Sequence, residues 1–303
     1  MQLAILPIIL KQKERTNYLK SKLSGFLAVL FLLIFVVFVI AGCRTNNKQQ
    51  IDYGKNETAG KYAAVNGIKI YYEIYGEGEP LVMIHGNGGS INSMRQQIDF
   101  FSKHYKVIVA DSRAQGKTVD AGDSISYDMM ADDINSLLDE LKVTNAYFIG
   151  QSDGAIIGLI TAFRYPAKVK MLAAMAPNIR PDSAVFYPKV VADNEVNLKK
   201  YEKLMAVPTK ENTDKLKLLN LMKNQPHISV AELATIKTPV MIMSGDRDLI
   251  QLSHIIEIFN AIPHSNLCVM PGSTHTAIRK NPTLFNDNVY SFFTKPFATP
   301  NSY

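Results

Sequence analysis

Short apolar runs alternate with longer amphipathic stretches along most of this chain. The runs are "LVMIH" (81–85), "KVIVAD" (106–111), "AYFIG" (146–150), "KMLAAMAP" (170–177), "PVMIMSG" (239–245) and "NLCVMP" (266–271). They are continuous rather than alternating, which is the signature of strands buried on both faces. Between them lie amphipathic segments such as 127–141 ("YDMMADDINSLLDEL") and 251–262, which predict helices. The alternation predicts an α/β fold, a mostly parallel central sheet with helices on both faces. Upstream, "AAVNGIKIYYEIYG" places two β-rich stretches around Asn66-Gly67 and predicts an N-terminal β-hairpin. Residues 181–230 break the alternation. They hold no strand-like run, are rich in Lys, Asn and Met, and predict helices over 194–206 and 211–223. They predict a helical cap inserted before the last two strands.

The front of the chain follows a different pattern. Residues 25–42, "GFLAVLFLLIFVVFVIAG", carry no charge and follow a basic cluster. A positive region, an apolar stretch and a small-residue end make a targeting segment. Its length also suits a membrane-spanning helix. Cys43 follows directly, and "IAGC" resembles a bacterial lipoprotein signal in which that thiol is lipidated after cleavage. Residues 1–43 are therefore expected to be a signal peptide or a retained membrane anchor. Either places the remainder in the cell envelope, on the non-cytoplasmic side of a membrane. The polar residues 44–61 predict a tether, leaving 62–303 as the folded domain with its cap at about 181–230.

Charge changes the picture little beyond that. Of a formal net charge of +6, residues 1–43 supply +4 (Lys11, Lys13, Arg15, Lys20 and Lys22 against Glu14), leaving +2 for the rest. The basic balance is a property of the leader and gives no ground for nucleic-acid binding. Two cysteines, Cys43 and Cys268, allow no disulfide if the first is acylated, and no Cys/His spacing suits a metal.

Ligands of open parallel sheets bind beyond the carboxyl ends of the strands. After the first run come His85-Gly86-Asn87-Gly88-Gly89-Ser90, and after the third come Gln151-Ser152-Asp153-Gly154. After the fifth come Asp246-Arg247-Asp248, and after the last come Gly272-Ser273-Thr274-His275. Gly150 to Gly154 fit the G-x-S-x-G nucleophile elbow, whose glycines admit a serine on a strained strand-to-helix turn. The following helix would aim backbone N–H groups, Asp153's first, at a developing oxyanion. Of six histidines, His275 lies in a loop that can hang over the elbow, whereas His85 fits a loop-supporting role. Asp248 is the favoured partner of that base. Asp246 reads as a turn residue bonding local backbone, and Asp182 is an outside candidate.

In chain order, "HGNGGS", "DSRAQGKT", "GQSDGA", "SGDRD" and "GSTH" resemble the α/β-hydrolase fold family, over about residues 62–295. The resemblance implies Ser152 as nucleophile, His275 as general base and acid, and Asp248 as the orienting carboxylate. It implies an oxyanion hole from the backbone N–H groups of Asn87 and Asp153. "DSRAQGKT" departs mildly from the family pattern, with Ala114 for glycine and Thr118 for serine. The implied activity is hydrolysis of a small carboxylic ester, lactone or thioester through an acyl-enzyme, without cofactor or metal. C–C bond hydrolysis on the same triad and a non-catalytic ligand-binding role are the alternatives. From the cap, Phe186, Tyr187 and Tyr201, with Leu204 and Met205, are expected to line the substrate pocket.

Overall fold

The computed structural model describes residues 51–297, together with Tyr18 and Lys22. The chain divides into two compact units, Met1–Ile51 and Asp52–Tyr303. In the first, Tyr18 and Lys22 are helical and exposed. Cys43, and the signal or anchor segment apart from those two positions, lie outside the described residues. Among the described residues, no helix is long and apolar enough to cross a membrane.

The second unit opens on a hairpin of β1 (Gly60–Val65) and β2 (Ile68–Tyr75). Its turn residues Asn66 and Gly67 take φ of 44° and 78°, and positive φ at both positions suits the twist of the flanking strands. Six further strands follow: β3 (Pro80–Ile84), β4 (Lys106–Ala110), β5 (Ala146–Gln151), β6 (Val169–Met175), β7 (Val240–Gly245) and β8 (Ser265–Met270). The sheet order is β1-β2-β4-β3-β5-β6-β7-β8. β1, β2 and β4 pair antiparallel, and β4 through β8 run parallel. Every residue of β5 and β7 is buried, as continuous apolar runs require.

Helices cover both faces. α1 (Arg95–Phe101) packs with α9 (Pro282–Thr294), and α2 (Tyr127–Glu140) packs with α3 (Asp153–Arg164), which lies on β5 and β6. α7 (Leu252–Ala261) covers β7 and β8, and the short α8 (Ala277–Lys280) precedes α9. After β3 the chain moves to β4 on one side and returns to β5 on the other. The strand order therefore reverses between β3 and β5, where such sheets open a crevice at their carboxyl ends.

The excursion between β6 and β7 holds α4 (Pro188–Leu204), α5 (Lys210–Asn224) and the short α6 (Val230–Leu233). α4 begins a turn and a half before the expected 194, with Pro188 in its first turn, a position that needs no backbone N–H. It buries only Leu198, whereas α5 buries Asp214, Leu218, Leu219 and Leu221.

One boundary is corrected. Residues 52–61 are packed against the domain rather than strung out as a tether. Tyr53 is buried, and the backbone N–H groups of Gly54 and Asn56 donate to the carboxylate of Glu73. Glu73 lies fully buried in β2, where Tyr71 and Tyr75 hydroxyls donate to it as well. A buried carboxylate needs such donors, and the polar 52–59 segment supplies two of them.

Candidate active site

At the end of β5 the chain turns sharply into α3, and Ser152 takes φ 55° and ψ −116°. The flanking glycines make this possible. A Cβ on Gly150 would lie 2.2 Å from the Gly154 carbonyl oxygen, and one on Gly154 would lie 2.1 Å from that of Ile84. Gly86 completes the close approach, since its Cβ would stand 3.2 Å from the Cβ of Ser152. The Ser152 hydroxyl therefore stands above the sheet edge, at the crevice between β3 and β5.

His275 Nε2 is 2.9 Å from Ser152 Oγ, and His275 Nδ1 is 2.8 Å from Asp248 Oδ1. Asp248 also accepts from the Ile250 N–H, and its side chain is almost wholly buried. A ring that donates from Nδ1 to a carboxylate presents Nε2 as the acceptor for the serine proton. Three loops thus bring together the alcohol, the imidazole and the carboxylate, with Ser152 lying 123 residues before His275 and Asp248 lying 27 before it.

The loops after β7 and β8 are stitched to each other. A Cβ on Gly245 would lie 2.1 Å from the Ser273 carbonyl oxygen. The Arg247 N–H donates to that oxygen, and the Ser273 N–H donates to Asp246 Oδ1. Asp246 therefore bonds the backbone of the His275 loop, not its own turn as the sequence suggested. Asp182 is exposed, pairs with Arg180 and caps the Ala184 N–H. His85 is buried, accepts the Ser112 N–H at Nε2 and donates from Nδ1 to the Gly86 carbonyl, with burial holding its pKa below the ordinary value. His254 is buried in α7, while His104, His227 and His264 are exposed.

Asn87 and Asp153 border Ser152 on either side, and their side chains meet: Asn87 Nδ2 donates to Asp153 Oδ2 at 3.0 Å. The Tyr127 hydroxyl donates to the other carboxylate oxygen, at 3.0 Å. Burial pushes the Asp153 carboxyl up to about 6, and the two donors oppose that rise. Asn87 Nδ2 also lies 3.3 Å from the Leu218 carbonyl, which ties the glycine-rich loop to α5 of the cap.

A cavity of about 800 Å³ opens over Ser152 and His275. Phe186, Val190, Val191, Leu219, Met222 and Ile250 give it apolar walls, and Asn178, Asn194 and Asn197 add amides. Phe186 lies where it was expected. Tyr187 and Tyr201 do not line the cavity. Tyr187 is 51% exposed at the head of α4. Tyr201 follows Val190, Asn194 and Asn197 on one helix face, but sits a turn beyond the stretch that roofs the cavity. Leu204, farther along, is exposed. The signal for the true lining was the 190, 194, 197 spacing, which aromatic bulk outweighed in the sequence reading. Among the described residues, no group of three or more His, Cys, Asp or Glu side chains is placed to hold a metal ion.

Comparison with known proteins agrees with this architecture. Residues 79–198 match the family model described as the alpha/beta hydrolase fold. The matches to curated relatives span from about two fifths to nearly all of those proteins' lengths. The chain is 24% identical over 255 residues to a pimeloyl-[acyl-carrier protein] methyl ester esterase of Yersinia enterocolitica, covering 74% of this chain and 97% of that protein. The solved enol-lactonase of Burkholderia xenovorans superposes with a TM-score of 0.62 at 22% identity, covering 78% of this chain and all of that one. A meta-cleavage product hydrolase of Pseudomonas fluorescens gives a TM-score of 0.61 at 23% identity, with 78% of this chain and 97% of that one covered. The eight-stranded, mostly parallel sheet, the helices on its two faces and the match over residues 79–198 lead to one assignment: the chain has the α/β-hydrolase fold.

Proposed function

We propose that this protein is a serine hydrolase that cleaves a carboxylic ester, lactone or thioester through an acyl-enzyme. The observation that carries the reading is the unbroken relay from Asp248 through His275 to Ser152, at 2.8 and 2.9 Å. Ser152 Oγ attacks the substrate carbonyl as His275 Nε2 takes its proton, and Asp248 stabilises the imidazolium. The N–H groups of Asn87 and Asp153 receive the oxyanion, the second of them at the positive end of α3. Collapse expels the alcohol or thiol, protonated by His275. Water, deprotonated by the same nitrogen, then attacks the acyl-serine and releases the acid. His275 must be neutral to begin the cycle.

The esterase and lactonase among the compared proteins support this bond class, and the meta-cleavage hydrolase supports C–C bond cleavage as the second reading. A fluorophosphonate probe should label the wild type and leave Ser152→Ala unlabelled. Ester turnover in that variant should fall by at least about a thousand-fold. Equal labelling of the two would remove Ser152 from the chemistry and return the fold to a binding role. Parallel rates on p-nitrophenyl esters and vinylogous diketones separate the two bond classes.

The proposal includes attachment to a membrane through residues 1–43, with acylation of Cys43. Radiolabelled palmitate should enter the wild type and not Cys43→Ala. Equal incorporation into both would sink the lipoprotein reading.

A further inference from the structure

The cavity wall carries charge that the hydrolytic relay does not use. Outside Asp248 and His275, six charged side chains line it: Asp153, Asp193, Glu195, Lys215, Lys223 and Arg279. Most are already satisfied. Glu195 pairs with Lys223 at 3.1 Å, and Asp193 pairs with Lys189 at 2.8 Å. Asp153 is held in the floor by Tyr127 and Asn87. The side chains of Lys215 and Arg279 have no ion-pair or hydrogen-bond partner among the described residues.

These two cations border the same piece of chain. Lys215 Nζ stands 3.5 Å from where a Cβ on Gly88 would be, one residue past Asn87. Arg279 lies on α8, four residues after His275, and α8 packs on the 3-10 turn Ile91–Met94 that continues the glycine-rich loop. The acids Asp193 and Glu195 are on α4, paired with Lys189 of the same helix and with Lys223 of α5. Asp214, next to Lys215 on α5, is taken by Lys210. Lys215 and Arg279 are thus left without a paired carboxylate, while the Asp153 carboxylate in the floor is held by the neutral donors Tyr127 and Asn87.

From this we infer that the substrate bears a carboxylate, bound at the cavity mouth by Lys215 and Arg279, so that the preferred substrates are monoesters of dicarboxylic acids. The inference rests on the ester-hydrolase reading above and names its substrate class. Charge-assisted bonds from lysine and arginine to a carboxylate are the strong ones, and cations at the mouth discriminate against a neutral chain end. The Asp153 carboxylate in the floor repels an anion, which directs the charged end outward to the mouth.

Three p-nitrophenyl esters of one chain length supply the test: the adipate monoester (anionic), the hexanoate (neutral) and the aminocaproate (cationic). Wild-type kcat/KM should favour the anionic over the neutral ester by about ten-fold or more at low salt, and the preference should shrink as salt rises. Lys215→Gln and Arg279→Gln should each lower that anionic-to-neutral ratio about five- to ten-fold, with fluorophosphonate labelling reporting that the site is folded. Separately, calorimetry should show adipate binding to Ser152→Ala and weaker binding to Ser152→Ala/Lys215→Gln. No anionic preference, a preference for the cationic ester, or ratios unmoved in both variants would overturn the subsite. Hydrolysis of all three esters at equal rates leaves the ester-hydrolase reading standing and removes the subsite. Lys215-dependent adipate binding with no ester turned over does the reverse.

Discussion

Asp153 is pulled in two directions by its surroundings. The start of α3 favours its negative charge through the helix dipole, while burial disfavours it. Burial wins, and the carboxyl is pushed from 3.8 up to about 6. Because the folded value lies above the ordinary one, the native state holds this proton more tightly than the unfolded chain does. The group's contribution to stability is then full below about pH 4 and is lost as pH rises through about 6. Asp153→Asn keeps the shape without the charge, so the variant should be more stable than wild type at pH 7.5. A shift of two units corresponds to at most about 3 kcal/mol. The advantage should vanish at pH 4 or below, as read from paired thermal melts across that range. A variant less stable than wild type at pH 7.5 would mean that the dipole and the two donors outweigh burial. Asp248 is the opposite case, a carboxylate that the mechanism requires ionised. Asp248→Asn should cost kcat about a thousand-fold or more, since the imidazole loses the partner that fixes its tautomer. Asp246→Asn keeps an acceptor for the Ser273 N–H and should cost far less. Equal losses in the two would assign the orienting role to the wrong residue.

At the scale of elements, the candidate site depends on loops meeting rather than on any single helix or strand. Gly245, the last residue of β7, is where the acid loop and the histidine loop touch through backbone atoms. Gly245→Ala forces a methyl against the Ser273 carbonyl and must part the loops that carry Asp248 and His275. A kcat loss of about ten- to a hundred-fold, with destabilisation of about 1–3 kcal/mol, is expected. Gly67→Ala, in the hairpin turn with nothing within 4 Å, should cost stability alone through its positive φ. Equal activity losses in both would show that Gly245 acts through folding and not through the loops. The same distinction explains what the sequence disclosed. Strands buried on both faces read as unbroken apolar runs, so β3 to β8 were visible to within a residue or two, and the residues at their carboxyl ends came with them. The hairpin was visible in Asn66-Gly67. The cap was visible as a stretch without strand-like runs, but its cavity-facing residues were not, because α4 buries one side chain and those residues are valines and asparagines that also suit an exposed helix. The 52–59 segment looked like a tether because its polar backbone serves Glu73, a partner some twenty residues away that composition does not reveal.

At the scale of the whole domain, the cap has two helices held in unlike ways. α4 is largely exposed, whereas α5 is clamped by charge. Lys217 pairs with Asp120 at 3.1 Å, Asp120 pairs with Arg113 at 2.9 Å, and Arg113 grips Asp133 through two nitrogens. These four side chains are 9% exposed or less, and their formal charges cancel. The clamp matters for the cavity because the same helix carries Lys215, Leu219 and the Leu218 carbonyl that receives Asn87. Removing one member strands its partner: Lys217→Met leaves one negative charge in excess, and Asp120→Asn leaves one positive. Each should cost about 3–5 kcal/mol if the network behaves as other buried ion pairs do. In the double variant the Arg113–Asp133 pair remains balanced, so it should be more stable than the worse single variant, a coupling that a urea-melt cycle measures. Ser152, Asp248 and His275 all stem from the sheet edge, not the cap. The double variant should therefore raise KM several-fold through a loosened α5 and leave kcat within about two-fold. A loss confined to kcat would mean that α5 sets the relay itself, through Leu218 and Asn87, rather than the walls around it.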